Sequence, residues 1–88
     1  MNVRKPVDYG AMHRELTAIF VQNLPQMSEI YAIGKAISQR PEKGAAVAAA
    51  EFMQVNFPDR TGFSPRNVRR MRDFYKTYEN GQKLLRQK

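Results

Sequence analysis

Residues 63–78 constrain the fold more than any other stretch, because they mark both the start and the buried side of a helix. Ser64 before Pro65 is a helix-start signal: a serine oxygen accepts from first-turn amides, and proline suits the first helical position. A glycine after Asn80 predicts the end, since glycine readily takes the left-handed conformation. The pattern predicts a helix over about 64–79. Its apolar side, at about 100° per residue, consists of Val68, Met71, Phe74, Tyr75 and Tyr78.

The opposite side of this predicted helix is basic. Residues 60–88 hold nine Lys and Arg against two acids, whereas residues 1–59 hold six of each, so the whole net charge of +7 lies in the last third of the chain. A solvated helix face is the ordinary interpretation of such a pattern. Charge of one sign gathered in one place instead favours a polyanionic partner. The residues of this side are Arg66, Arg69, Arg70, Asp73, Lys76 and Thr77.

Apolar residues at helical spacing predict three earlier helices, at about 9–23, 26–38 and 41–56. Gly34 inside the second predicts that another helix crosses close to its backbone. Pro41 opens the third predicted helix. Its alanines between residues 45 and 50 fit either close approach of a neighbouring helix or simply a high helix propensity. The fold class is therefore all-α, a bundle of about four helices. Residues 1–8 are expected to be a flexible arm, 9–80 one helical domain and 81–88 a basic tail.

The segment 57–63 joins the last two helices. Pro58-Asp59 and Thr61-Gly62 are turn sequences, and Phe57 and Phe63 flank them as hydrophobic anchors. Two helices joined by a turn, the second basic on its outer side and aromatic on its inner side, predict a helix-turn-helix-like arrangement. The linker is longer than the turn of a strict helix-turn-helix motif, which has about three or four residues.

Several of these residues resemble the N-terminal domain of YhcG-like proteins. They are Phe57-Pro58, Gly62-Phe63-Ser64, Arg66-Asn67-Val68, Met71-Arg72, Phe74-Tyr75 and Tyr78, with Tyr31, Ile33, Gly34 and Ile37 matching an earlier segment. The resemblance covers about residues 28–79, although Ala32 stands where a tryptophan is usual. It implies a helical, DNA-binding module of the kind found ahead of a PD-(D/E)xK nuclease domain. No lysine here has an acid two residues before it, so the nuclease motif is absent from this sequence.

Catalytic and membrane functions find little support in the sequence. There is no cysteine, His13 is the only histidine, the carboxylates are scattered and no phosphate-binding glycine loop occurs. No apolar run is long enough to cross a membrane. We expect a soluble, cytoplasmic protein that is not an enzyme, with no cofactor, no metal and no small-molecule substrate.

The expected function is binding of double-stranded DNA by the basic helix. Arg66 and Asn67 can reach base edges, but Asn67 lies nearer the aromatic side, which favours capping or packing of the preceding turn. Arg72 fits an ion pair with Glu79 or with an acid of another helix as well as it fits DNA. Protein docking, as in an adaptor or antitoxin-like module, and binding of single strands or RNA through Tyr75 and Tyr78 are the alternatives. A homodimer is left open. The predicted DNA-binding residues are Arg60, Thr61, Ser64, Arg66, Asn67, Arg69, Arg70 and Lys76.

Overall fold

The computed structural model describes residues 9–40 and 44–86, which form four helices. These are α1 (Gly10–Val21), α2 (Gln26–Ser38), α3 (Ala45–Asn56) and α4 (Pro65–Arg86). No strand occurs in this part of the chain, so the predicted all-α bundle of about four helices is confirmed. The predicted arm at 1–8, the helix-opening role of Pro41 and the last two residues of the predicted tail lie outside the described residues.

Helix α1 buries one side, as its spacing predicts, through Met12, Leu16 and Ile19. It ends two residues earlier than predicted. Asn23 has a φ of 53°, in the left-handed region, and its N–H donates to the carbonyl of Phe20 at 3.2 Å. Asparagine tolerates this conformation better than most residues. The helix is therefore closed by Asn23, before Pro25 is reached.

Helices α2 and α4 cross in close contact at Gly34. A Cβ atom added to Gly34 would overlap the carbonyl oxygen of Met71. The added atom would also lie 2.8 Å from the carbonyl carbon of Met71 and 3.0 Å from Cβ of Tyr75. Glycine is needed here because the backbone of α4 occupies the space that a side chain would fill. The predicted close crossing is confirmed, and α2 rather than α3 is the main neighbour of α4.

The alanines of α3 also serve close approach. Ala45, Ala46, Ala49 and Ala50 are at most 1% exposed, and Met53 fills the next turn of the same side. Small side chains let neighbouring helices approach α3 without a bulky layer between them. Of the two interpretations of the alanine run, the structure supports packing.

The linker between α3 and α4 packs on α1 through aromatic rings. The Phe20 ring lies 4.4 Å from that of Phe57 and 5.5 Å from that of Phe63, measured between centroids. The Arg60 N–H donates to the Phe57 carbonyl at 3.0 Å, closing the predicted turn, and Gly62 takes a φ of 87°. Both phenylalanines thus act as the predicted hydrophobic anchors.

Two predictions about α4 are wrong. The helix does not end at Asn80-Gly81 but continues to Arg86, because Gly81 stays helical; a glycine inside a helix costs only about 1 kcal/mol. The predicted apolar side is also not wholly buried. Val68 is buried, but Phe74 is 36% and Tyr78 is 49% exposed. Met27 of α2 is 60% exposed as well.

Candidate nucleic-acid interface

The outer face of α4 is basic and exposed. The name outer face is used for six exposed residues of this helix: Arg66, Arg69, Arg70, Asp73, Lys76 and Thr77. They recur at helical spacing opposite Val68, which is fully buried against the other helices. The face therefore presents four cations and one carboxylate to solvent along about three turns of helix.

The cations of the outer face have no counter-ion among the described residues. The ion pairs in this part of the chain are Arg60 with Glu29, and Arg72 Nε with Asp73 Oδ1 at 3.6 Å. Arg72 is half-buried and lies next to the outer face rather than on it. The ion pair of Arg72 is with Asp73 rather than with Glu79, which accepts a hydrogen bond from Tyr31. The outer face, with four cations and one carboxylate, accordingly keeps a net positive charge.

Arg60 has a structural partner. Its guanidinium forms an ion pair and hydrogen bond with Glu29, whose side chain is largely buried at the start of α2. The same guanidinium lies 5.0 Å from the centroid of Phe20 and 5.7 Å from that of Phe63. A cation over aromatic rings and beside a buried carboxylate stabilises the linker. DNA contact by Arg60 stays a prediction, and the structure gives this residue another role.

The start of α4 is capped by Ser64, as predicted. The Asn67 N–H donates to Ser64 Oγ at 3.2 Å, and the Val68 N–H donates to the Ser64 carbonyl at 2.9 Å. The hydroxyl of Ser64 is thus already engaged within the protein. The Asn67 side chain is half-buried, and Thr61 is exposed just before the cap. Ser64 and Arg66 therefore lie at the start of α4, and Thr61 precedes them in the linker.

Beside the outer face lies an apolar surface that helical spacing along the sequence does not predict. We call it the aromatic groove: it lies between α2 and α4, has a volume of about 470 Å³, and is lined by Met27, Ser28, Tyr31, Phe74 and Tyr78. The signal that could have found it is the pair Phe74 and Tyr78, four residues apart. On the helical wheel they lie at the edge of the apolar side, where burial is incomplete.

One residue of the aromatic groove, Tyr31, makes a hydrogen bond between α2 and α4. The Tyr31 hydroxyl donates to Glu79 Oε1. This bond, together with partial burial, raises the pKa of Tyr31 to about 12. The phenol therefore stays protonated, and remains a donor to Glu79, throughout the physiological pH range.

His13 packs against an aromatic ring. Its imidazole stacks on Phe52 with centroids 4.2 Å apart and planes inclined by 4°, and its Nε2 has no hydrogen-bond partner among the described residues. No group of His, Cys, Asp or Glu in the described part of the chain is arranged to hold a metal ion. The helices described here also lack the combination of length and apolar character that a membrane crossing requires.

Comparison with known proteins gives no relative for this chain: no family model, no curated protein and no solved structure matches it. The resemblance to the YhcG-like N-terminal domain stays a prediction from the residues that carry it.

Proposed function

We propose that the protein is a non-catalytic DNA-binding module that places the outer face of α4 against the backbone of double-stranded DNA. The observation that carries the proposal is that Arg66, Arg69, Arg70 and Lys76 lie exposed on one helix face without a carboxylate partner in the described part of the chain. Unpaired surface cations in a row match the regular negative charge of a phosphate backbone.

The contacts of two neighbouring arginines support this proposal, because they give Arg60 and Arg72 other tasks. Arg60 stabilises the linker through Glu29, and Arg72 is half-buried beside Asp73. Arg60 and Arg72 thus contact groups within the protein, whereas the cations of the outer face remain exposed to a ligand. Binding by Arg69, Arg70 and Lys76 is expected to be mainly to phosphates, with Arg66 and Asn67 nearest to base edges. The helix-turn-helix-like role of α3 and α4 and a cytoplasmic location belong to the same proposal.

Fluorescence anisotropy with a random-sequence duplex tests the proposal. The logarithm of the association constant should fall linearly with the logarithm of salt concentration, with a slope of about −0.9 per phosphate, hence about −4 for four contacts. A slope near zero would contradict the proposal.

Two double variants provide the matched comparison. Arg69→Ala with Arg70→Ala removes two charges from the outer face and should weaken binding about tenfold or more while leaving the melting temperature nearly unchanged. Arg14→Ala with Lys35→Ala removes the same charge from exposed positions of α1 and α2. It should weaken binding far less. Equal losses would mean that net charge alone, rather than this helix face, attracts DNA.

A protein partner is the alternative function, and a pull-down from a cell lysate, with and without nuclease treatment, detects it. If duplex binding is absent, and the protein instead retains an acidic partner after nuclease treatment of a lysate, then the outer face serves protein docking.

A further inference from the structure

The aromatic groove adjoins the outer face on the same helix. We propose that this groove stacks unpaired bases of a nucleic-acid strand whose phosphates lie on the outer face, so that the preferred ligand is duplex DNA carrying a single-stranded extension. The inference rests on the proposed function, because it uses the same cations to hold the backbone. It adds a second element, the recognition of bases that are not paired.

The first argument is the exposure and geometry of the rings. Phe74 is 36% and Tyr78 is 49% exposed, so both rings present apolar surface to solvent. Their ring planes are inclined by only 27°, with centroids 6.5 Å apart. Tyr31 meets Tyr78 edge to face at 5.4 Å, which fixes the orientation of the exposed ring. Flat, exposed and fixed aromatic faces are the usual platform for single-stranded bases.

The second argument is continuity with positive charge. Arg70 lies one helical turn before Phe74, and residues four apart are neighbours on a helix surface. Arg66 lies one turn before Arg70, and both are exposed. A strand whose phosphates follow Arg66 and Arg70 would bring its next bases to Phe74 and Tyr78. Charge complementarity thus selects an anionic chain as the occupant of the groove.

The third argument is the chemistry of the lining. Three of the five lining side chains are aromatic, and only Met27 is aliphatic. The hydroxyls of Ser28 and Tyr78 offer hydrogen bonds to the polar edge of a base. An amphipathic helix of a protein partner would instead need a longer row of apolar pockets for anchors at successive turns. The observations therefore favour bases over a docked helix.

The test uses the full chain and three fluorescent ligands: a blunt duplex, the same duplex with a short single-stranded extension containing 2-aminopurine, and the extension strand alone. The extended duplex should bind about tenfold more tightly than the blunt one. The 2-aminopurine emission should fall on binding, because stacking quenches it.

Two substitutions locate the effect. Tyr78→Ala should remove most of the preference for the extended duplex while leaving blunt-duplex affinity unchanged. Phe74→Leu keeps the apolar volume but removes the flat face, and should reduce both the preference and the quenching. The control is Val55→Ala, which shortens an apolar side chain on α3 that is 76% exposed and lies outside the groove. It should change neither.

The outcomes separate this inference from the proposed function. Salt-dependent binding of the blunt duplex with no gain from the extension overturns the inference and keeps the proposed function. Binding of the extended duplex and the lone strand, but not of the blunt duplex, supports the groove and overturns duplex binding. If no ligand binds, both are overturned. If Phe74→Leu keeps the preference for the extended duplex, and an acidic amphipathic peptide displaces that duplex, then the groove binds a protein instead and the inference is overturned.

Discussion

The two sides of α4 carry different kinds of contact. On the side toward α2, the backbone at Met71 passes over Gly34, and Glu79 accepts a hydrogen bond from Tyr31. On the outer face, Arg69 and Arg70 are exposed, and no ion pair with a carboxylate is found for them in the described part of the chain. The helix is positioned by backbone fit and by aromatic and hydrogen-bonding contacts. Its exposed cations are therefore not required for folding.

Arg60 sharpens this comparison, because it has the same side chain as Arg70 and the opposite environment. Its guanidinium contacts Glu29 and two aromatic rings, whereas Arg70 projects from a helix surface. The clustering of basic residues in a sequence does not reveal which of them are available to a ligand. Their availability depends on whether the fold supplies a carboxylate.

The largest expected change in stability comes from a substitution at the contact between α2 and α4. Gly34→Ala should lower the free energy of unfolding by about 2–3 kcal/mol, because the added Cβ overlaps the Met71 carbonyl and α4 must shift. Urea denaturation measures this. Gly81→Ala is the matched control: it is the same exchange in a helix, and no atom of the described residues lies within 4 Å of the added Cβ. It should raise stability by up to about 1 kcal/mol. Similar effects of the two exchanges would contradict the close crossing.

A smaller effect is expected from Arg60→Ala. The substitution leaves the largely buried Glu29 carboxylate unpaired, but the Arg60 side chain is 44% exposed, so water offsets part of the loss. We expect a destabilisation of about 1–2 kcal/mol in urea, with little change in duplex affinity. Adding Glu29→Gln should restore part of the stability by removing the unpaired charge. If Arg60→Ala weakens duplex binding as much as the outer-face double variant, then Arg60 belongs to the interface.

The smallest expected change in stability comes from a substitution on the outer face. Asp73→Asn removes the carboxylate of this face, whose pairing with Arg72 is long at 3.6 Å. Stability should change by less than about 0.5 kcal/mol. Duplex affinity should rise about two- to fivefold, the effect of one surface charge interaction. Anisotropy titrations measure this gain, and Glu15→Gln, an exposed carboxylate on α1, serves as control. An unchanged affinity for Asp73→Asn would place the DNA elsewhere.

Much of this fold could be predicted from local patterns. Helical spacing gave the four helices and the buried side of α1, Ser64 marked the start of α4, and Gly34 indicated a close neighbour. The same spacing predicted that Arg66, Arg69, Arg70 and Lys76 would be exposed. The end of α4 was predicted wrongly, because a glycine permits a helix to end without requiring it.

The sequence by itself determined which residues form helices and which side of each helix is apolar, since both follow from interactions within a few residues along the chain. Only the tertiary structure decided that α2 is the main neighbour of α4, that Glu29 meets Arg60 from 31 residues away, and that Phe74 and Tyr78 border a groove. These features depend on how far one helix extends over another. That geometry is set by packing between distant segments, which periodicity along the chain does not encode.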